Sequence, residues 1–420
     1  MIRKDFFKEF SIKLSPGVLT VFLIIIQSCG VNFFEKQGAI LVFVILLLSK
    51  EGFKFLKKSD IRNLGLIFAF LTASKMVNPS FEIPIYLFQM GLVLESYIFL
   101  LSYKEKGMDQ LKDDFYGALN IIFVQAVIGY ILYLIIPFAF VKAEKGYPYI
   151  SLLYFFFVSG EYAGLARNNG LVWEPGLLQL MLNMLLFYSI KRDRSNTFLL
   201  ILTITIISTF STSGYFCLAL NYILYVFYNF RTRKRFVVTL LVLTALSSSV
   251  LLFMWQNISD KLSGDNLSGL ARYRDLYIGF ELIKEKPFFG HGVYDVTYLY
   301  SKPYVTKIEV ALFGGDIIDI IGTVSGGYVN GFLGVFTWFG IPASLALYFL
   351  FFKNKLVDGK LYQRILFFTM MCFTFFAEPI TYTSFFLIFP FSTFIYWYET
   401  KEEELTQSED EQDIDNYSYV

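Results

Sequence analysis

Long apolar stretches alternate with short charged loops over most of the 420 residues. A run approaching twenty apolar residues can cross the hydrocarbon core of a bilayer as a helix. These runs are apolar on every face, so they fit helices and not the alternating strands of an outer-membrane barrel. The pattern therefore predicts an all-α polytopic membrane protein with about twelve transmembrane helices. The predicted spans are 14–29, 38–49, 63–77, 83–102, 115–137, 172–190, 197–212, 215–230, 236–255, 329–352, 364–379 and 382–398.

The segment 149–163 is also apolar, and its assignment decides on which side of the membrane every later loop lies. Lys and Arg are enriched in cytoplasmic loops. If 149–163 is a re-entrant or interfacial segment, the predicted inside loops hold 24 basic residues and the outside loops 12. Counting it as a span would place the basic clusters at Lys191 and Arg231 outside. The sequence thus predicts cytoplasmic termini and one long external loop, 256–328, between spans nine and ten.

Composition supports the membrane assignment and excludes other classes. The chain is 55% hydrophobic and only 17% charged, whereas soluble domains carry about a quarter charged residues. The balance of 36 basic against 35 acidic residues gives no basic face for nucleic acid. Nine acids and one base follow from Glu399 onward. We therefore predict a membrane-embedded domain over 1–398 and a disordered cytoplasmic tail over 399–420, with an interaction tail as the alternative.

The residue types give no sign of a cofactor or a metal. The three cysteines fall within predicted spans and offer neither a disulfide framework nor zinc spacing. No Walker loop or dinucleotide fingerprint occurs. Asp316 and Asp319 share a face if helical, but two carboxylates are too few ligands for a divalent cation, and solvated acids are the preferred interpretation.

Polar residues stand immediately before span six, where the chain re-enters the bilayer. The stretch is Arg167-Asn168-Asn-Gly-Leu-Val-Trp-Glu174-Pro-Gly176. The guanidinium of Arg167 is suited to a forked contact with a phosphate. Two interpretations are open here: Arg167 and Glu174 form an ion pair that anchors the loop, or they belong to a functional site.

A second group of candidates lies in the long loop. Leu270 to Lys286 has the spacing of an amphipathic helix on the membrane surface, with Ser268 as its N-cap and Pro287 at its end. Its predicted apolar face consists of Tyr273, Leu276, Phe280 and Ile283. Two arginines, Arg272 and Arg274, near the helix N-terminus form a candidate anion site. They are equally suited to lipid headgroups, and Arg272 is spaced to pair with Asp275.

The only histidine, His291, follows directly and is flanked by Gly290 and Gly292. A lone histidine is either a structural hydrogen-bonding residue or, close to the arginines, a base or phosphate ligand. The stretch Ser211-Thr-Ser-Gly-Tyr215 forms a tight turn between spans seven and eight, where hydroxyl groups cap helices or contact sugar.

Together these features resemble the bacterial O-antigen polymerase and O-antigen ligase superfamily of polytopic membrane glycosyltransferases. The resemblance rests on the span pattern with its late external loop and on three motifs. These are Arg-x-x-Gly-x-x-x-Glu-Pro (Arg167, Gly170, Glu174, Pro175), Arg272 followed by Pro-x-x-Gly-x-Gly (Pro287, Gly290, Gly292), and Asn330 with Gly340 beyond it. Many members, ligases especially, place a histidine at the end of the long loop, where this chain has Val329 before Asn330. That departure favours a polymerase.

The resemblance implies a metal-independent polymerase that joins polyisoprenoid-diphosphate-linked oligosaccharides into O-antigen, capsule or exopolysaccharide. The reaction would take place on the external face of the cytoplasmic membrane. A ligase that transfers the glycan to another acceptor is the alternative within the family. A flippase or transporter is the alternative outside it, with Glu95 and Glu378 as the only candidate path residues. Membrane lipids and a chain-length regulator are the other expected partners, and nucleic acid is not one.

The resemblance also implies roles for individual residues. An acceptor hydroxyl displaces the lipid diphosphate, whose developing charge arginines stabilise. The implied diphosphate ligands are Arg167, Arg272 and Arg274, the implied catalytic bases are Glu174 or His291, and the implied glycan contacts are Asn168, Tyr215, Tyr328 and Asn330.

Overall fold

The fold consists mainly of helices, in a computed structural model that describes 14–29, 37–76, 83–142, 149–153, 155–162, 165–172, 174–229, 267–292, 330–357 and 359–396. The helices are α1 (Pro16–Cys29), α2 (Gln37–Gly52), α3 (Lys58–Met76), α4 (Ile83–Leu101), α5 (Gly107–Ile135), α6 (Pro175–Lys191), α7 (Asn196–Ile207), α8 (Thr212–Asn229), α9 (Leu267–Glu285), α10 (Gly331–Phe352), α11 (Leu361–Phe375) and α12 (Ser384–Tyr396). The strands are β1 (Val141–Lys142), β2 (Tyr149–Leu152), β3 (Phe156–Tyr162) and β4 (Leu165–Gly170).

Each predicted span within the described residues overlaps one of these helices, and the predicted span 236–255 lies outside the described residues. By length and composition, α4, α5 and α10 can cross a membrane. Four shorter apolar helices, α1, α7, α11 and α12, accompany them. The helices are those of a multi-pass membrane protein, and the number of crossings stays a prediction.

Helix α6 forms the centre of the bundle. Every residue from Pro175 to Ile190 is buried, as expected of a helix that is apolar all round. Its few polar side chains are paired inside the bundle. The Nδ2 of Asn183 donates to Oε1 of Gln179 at 3.0 Å, and the Nδ2 of Asn221 on α8 donates to Oδ1 of Asn183 at 3.1 Å. The second bond joins α8 to α6, and an interhelical amide bond of this kind fixes how the two helices pack together.

The chain between α5 and α6 forms a four-stranded antiparallel sheet in the order β1-β2-β3-β4. The prediction that 149–163 is not a span is confirmed, but the prediction of an all-α fold is wrong here. Aromatic and β-branched residues in this run favour strands, and pairing between strands satisfies the backbone as a helix would. The sheet rests on one end of α5, where Oη of Tyr130 donates to the Ala166 carbonyl at 3.0 Å. We call this end of the bundle the sheet end.

Helix α10 is a helical hairpin, a reversal that the predicted span 329–352 did not include. The Oη of Tyr348 donates to the carbonyl of Phe332 at 3.0 Å. In a straight helix these residues would be separated by about 24 Å along the axis. Similarly, Oγ of Ser344 donates to the Val335 carbonyl at 2.8 Å. The chain reverses at Gly340, with φ 76° and ψ 172°. Residues 331–339 therefore fold back along 341–352, and we call this element the α10 hairpin.

Helix α9 matches the predicted amphipathic helix in position but not in its buried face. It begins at Leu267, so Ser268 lies inside it and is not the N-cap, and it ends at Glu285 before Pro287 as predicted. Ile278 is 4% exposed, whereas Phe280, assigned to the apolar face, is 54% exposed. Helical spacing leaves two apolar stripes on α9, and packing against the α10 hairpin selects the stripe that carries Ile278.

Candidate functional site

The first turns of α6 and the α10 hairpin meet the link between α11 and α12 inside the bundle. The carboxylate of Glu378, in the link between α11 and α12, occupies the space that a Cβ on Gly176 would fill. The Glu378 carbonyl oxygen lies 2.6 Å from the position of a Cβ on Gly331. The Oγ1 of Thr381 donates to the Gly331 carbonyl at 2.8 Å. At 331 a Cβ would press on backbone, which favours glycine there, and at 176 a Cβ would require the Glu378 side chain to move. We call Glu174, Gly176, Asn330, Gly331, Glu378 and Thr381 the helix-start cluster.

Glu174 is the N-cap residue of α6, but its side chain does not cap the helix. It has extended backbone geometry, and its carbonyl accepts the N–H groups of Leu177 and Leu178 at 3.0 and 3.1 Å. Within the described part of the chain, no ion pair joins Glu174 to Arg167. The interpretation of these two residues as a loop-anchoring pair therefore finds no support. The carboxylate of Glu174 is half-buried and makes no hydrogen bond among the described residues.

Arg167 lies on β4, and the strand is fixed to the turn that connects α7 and α8. The Nε of Arg167 donates to the Thr209 carbonyl at 3.2 Å. The next backbone N–H, of Asn168, donates to the Ser208 carbonyl at 2.9 Å. These bonds hold the guanidinium of Arg167, half-buried, on the link that leads to Glu174.

Asn168 is 1% exposed and its amide is used internally. Its Nδ2 donates to the carbonyl of Ala126 at 3.3 Å and to Oγ of Ser208 at 3.0 Å, and its Oδ1 accepts the N–H of Gly170 at 3.0 Å. Tyr215 is similarly buried, with Oη donating to the Ile207 carbonyl at 3.0 Å. Both residues connect elements of the bundle, so their contacts favour structural roles over the glycan contacts predicted for them.

Asn330 begins the α10 hairpin as its N-cap. Its Oδ1 accepts the N–H of Leu333 at 3.0 Å, and the side chain is 1% exposed. This is the usual role of an Asn immediately before a helix. Because the hairpin folds back, the cap lies beside Tyr348 in the interior of the bundle and not at its surface. Asn330 therefore positions the helix-start cluster, and the glycan contact predicted for it stays a prediction.

His291 is buried and packed against the α10 hairpin. It is 4% exposed, its Nε2 lies 3.0 Å from the Leu282 carbonyl, and its backbone N–H donates to the Thr337 carbonyl at 2.7 Å. The adjacent N–H of Gly292 donates to the Trp338 carbonyl at 3.0 Å. These contacts favour a structural role over that of a base.

His291→Ala is expected to lower the thermal stability of the purified protein and to leave the position of its pH–rate profile unchanged. The change removes a buried hydrogen bond, which typically contributes about 1 kcal/mol. Thermal unfolding in detergent and initial rates across pH would measure the two effects. A missing limb in the pH–rate profile of the variant would instead identify His291 as the base.

The remaining predicted ligands are only partly described. Arg272 and Arg274 lie near the N-terminal end of α9, which packs on the α10 hairpin, but their side chains fall outside the described residues. Tyr328 also falls outside them. The diphosphate contacts predicted for the two arginines and the glycan contact predicted for Tyr328 stay predictions.

Glu378 is the site residue that sequence reasoning missed, since it had been noted only as a candidate for a transport path. One signal was available: Glu378-Pro379 repeats the Glu174-Pro175 dipeptide. The other path candidate, Glu95, is 0% exposed and is held by α1 and α12. It accepts from Nε2 of Gln27 at 3.1 Å and from Oγ of Ser384.

An apolar groove of about 380 Å³ runs between α3, α4, α10 and α12. Phe339 and Tyr382 line it near the tip of the α10 hairpin, and Asn63 and Phe394 line it towards the opposite end of the bundle. Its other lining residues are aliphatic or aromatic. The groove therefore offers an extended hydrophobic surface that starts close to the helix-start cluster, through Thr381 and Tyr382.

Comparison with known proteins bears on the second half of the chain. The O-antigen ligase family model matches residues 197–348, which extend from α7 into the second half of the α10 hairpin. This segment contains α9, His291, Asn330 and Gly340, all singled out by the sequence motifs. No curated protein and no solved structure matches the chain. The family match supports the resemblance of this chain to the O-antigen polymerase and ligase superfamily over residues 197–348.

Proposed function

We propose that the protein polymerises polyisoprenoid-diphosphate-linked oligosaccharide repeat units into a surface polysaccharide. The observation that carries the proposal is the link between β4 and α6. It holds an arginine, Arg167, and a carboxylate, Glu174, that are not paired with each other. Arg167 is suited to bind a phosphate, and Glu174 is suited to accept a proton. Glycan transfer from a lipid diphosphate requires both functions.

In the proposed reaction, an acceptor hydroxyl on one glycan attacks the anomeric carbon of the other. The bond between that carbon and the diphosphate oxygen breaks, and the lipid diphosphate leaves with the electron pair. Glu174 takes the proton of the hydroxyl. Arg167, with Arg272 and Arg274 from α9, stabilises the charge on the leaving diphosphate.

The apolar groove supports a lipid-linked substrate. We place the polyisoprenoid tail against its wall, with Phe339 and Tyr382 next to the diphosphate end. In the membrane the tail already lies in hydrocarbon, so the groove contributes van der Waals packing and orientation of the tail. The sugar would then project towards the sheet end.

We further propose that the sheet end faces outside the cytoplasmic membrane. The opposite end of α6 carries Lys191, Arg192 and Arg194, a basic cluster of the kind found on the cytoplasmic side. Arg192 pairs there with Asp113, with 2.5 Å between Nη2 and Oδ1. This orientation would put Arg167 and Glu174 on the side where exported lipid-linked repeats are found.

Purified protein in liposomes, given lipid-diphosphate repeat units, is expected to yield chains of more than one repeat together with released lipid diphosphate. Unchanged substrate with a folded preparation would contradict the proposal. Movement of unchanged substrate across the liposome would identify a flippase.

A ligase is the second candidate, because the matching family model carries that description. The same assay separates the two activities when a second acceptor, such as a lipid A core, is added. A polymerase lengthens the repeat chain without it, whereas a ligase forms product only in its presence.

A further inference from the structure

Glu378 touches the beginnings of two helices that are far apart in sequence. Its carboxylate lies on Gly176 in the first turn of α6, and its carbonyl lies on Gly331 in the first turn of the α10 hairpin. The residue is 5% exposed. An ionisable side chain held this deeply in an apolar bundle requires a reason in the structure.

The start of α6 supplies that reason. The first N–H groups of a helix have no partner within it. Pro175 has no N–H, and the N-cap residue Glu174 makes no side-chain bond to the helix. The N–H groups of Leu177 and Leu178 bond to the Glu174 carbonyl, so the N–H of Gly176 is the donor in this turn that the Glu174 side chain leaves uncapped. A carboxylate at Gly176 sits where the helix dipole favours negative charge.

We propose that Glu378 is a positioning residue that caps α6 in place of Glu174. Its carboxylate holds the first turn of α6, and the carboxylate of Glu174 is thereby left to act on the acceptor hydroxyl. The inference rests on the proposed function for the role of Glu174, but the contact between Glu378 and Gly176 stands independently of it.

The contact is tested by a double-mutant cycle on thermal stability. A Cβ at 176 displaces the carboxylate, so Gly176→Ala is expected to lower the Tm by about 2 °C or more. In the Glu378→Ala background the space is vacated, and Gly176→Ala is expected to cost little further. Gly65→Ala on α3 is the matched control, because nothing lies within 4 Å of a Cβ there. Equal Tm losses from Gly176→Ala in both backgrounds would overturn the proposal.

The positioning role is tested by kinetics of chain growth. Glu378→Ala is expected to lower kcat by about 10- to 100-fold, as for a small displacement of a catalytic group. Glu378→Gln keeps an oxygen acceptor and is expected to restore most of the activity.

The outcomes separate the two hypotheses. If the wild-type protein does not lengthen lipid-linked chains but the Tm cycle is non-additive, the cap stands and the proposed function fails. If the wild-type protein is active and Glu378→Ala retains its full kcat, the positioning role fails and the proposed function stands. If Glu378→Ala does not accumulate, Glu378→Asp replaces it in both tests, since its shorter side chain withdraws from Gly176.

Discussion

Arg167→Ala is expected to lower kcat for chain growth by about 100- to 1,000-fold, the usual effect of removing one donor from a developing charge. The Nε–H of Arg167 is bound to the Thr209 carbonyl, and this bond fixes the plane of the guanidinium. We propose that the guanidinium, held in this plane, contacts the leaving diphosphate. Initial rates of polymer formation in liposomes would measure the loss.

Two controls distinguish lost chemistry from lost structure. Arg167→Lys keeps the charge but not the planar fork, so it is expected to restore only part of the rate. Arg192→Ala removes an arginine from the opposite end of the bundle, where it pairs with Asp113 at a partly exposed position. Surface pairs contribute little, so this variant is expected to keep wild-type activity. Wild-type kcat in Arg167→Ala, at normal protein level, would refute the diphosphate role.

The helices could be predicted from sequence because burial in lipid imposes a simple requirement, a long run of apolar residues. The same requirement explains the two errors. The run 149–163 is as apolar as a short span, and only its antiparallel pairing with β4 reveals strands. Likewise, Gly340 and Pro342 lie within an apolar run, and membrane helices tolerate both residue types. Whether such a glycine bends or reverses a helix depends on what packs against it.

In the candidate site, too, features local in sequence could be predicted, whereas contacts between distant parts of the chain could not. The polar link that contains Arg167 and Glu174 could be located from sequence, because charged residues next to a span are conspicuous. The contact of Glu378 with the first turn of α6 could not be predicted, because Glu378 is more than 200 residues from Glu174 in the sequence. The buried contacts of Asn168 and His291 also favour structural roles over the functional roles predicted for them. Both side chains bond to backbone carbonyls of other elements, a use that residue type alone does not indicate.

Gly340→Ala is expected to have the largest effect on stability. The backbone at Gly340, with φ 76° and ψ 172°, lies in a region that essentially only glycine adopts, and a side chain there costs about 1–3 kcal/mol in strain alone. The added Cβ would also collide with the carbonyl oxygen of Phe288. Backbone cannot move aside as a flexible side chain does, so the α10 hairpin and the segment 287–292 must separate. We expect a lower Tm and a severe loss of chain growth.

The loss of activity follows from what the hairpin tip holds in place. The N–H of Ile341 donates to the Pro287 carbonyl at 2.7 Å, and this bond attaches the end of α9 to the tip. Displacing α9 would move Arg272 and Arg274 away from the proposed diphosphate site. Gly38→Ala on α2 is the control, because nothing lies within 4 Å of a Cβ there, and alanine favours a helix over glycine by about 1 kcal/mol. An unchanged Tm in Gly340→Ala would show that the hairpin does not depend on this turn. A lower Tm with normal activity would show that the attachment of α9 serves stability alone.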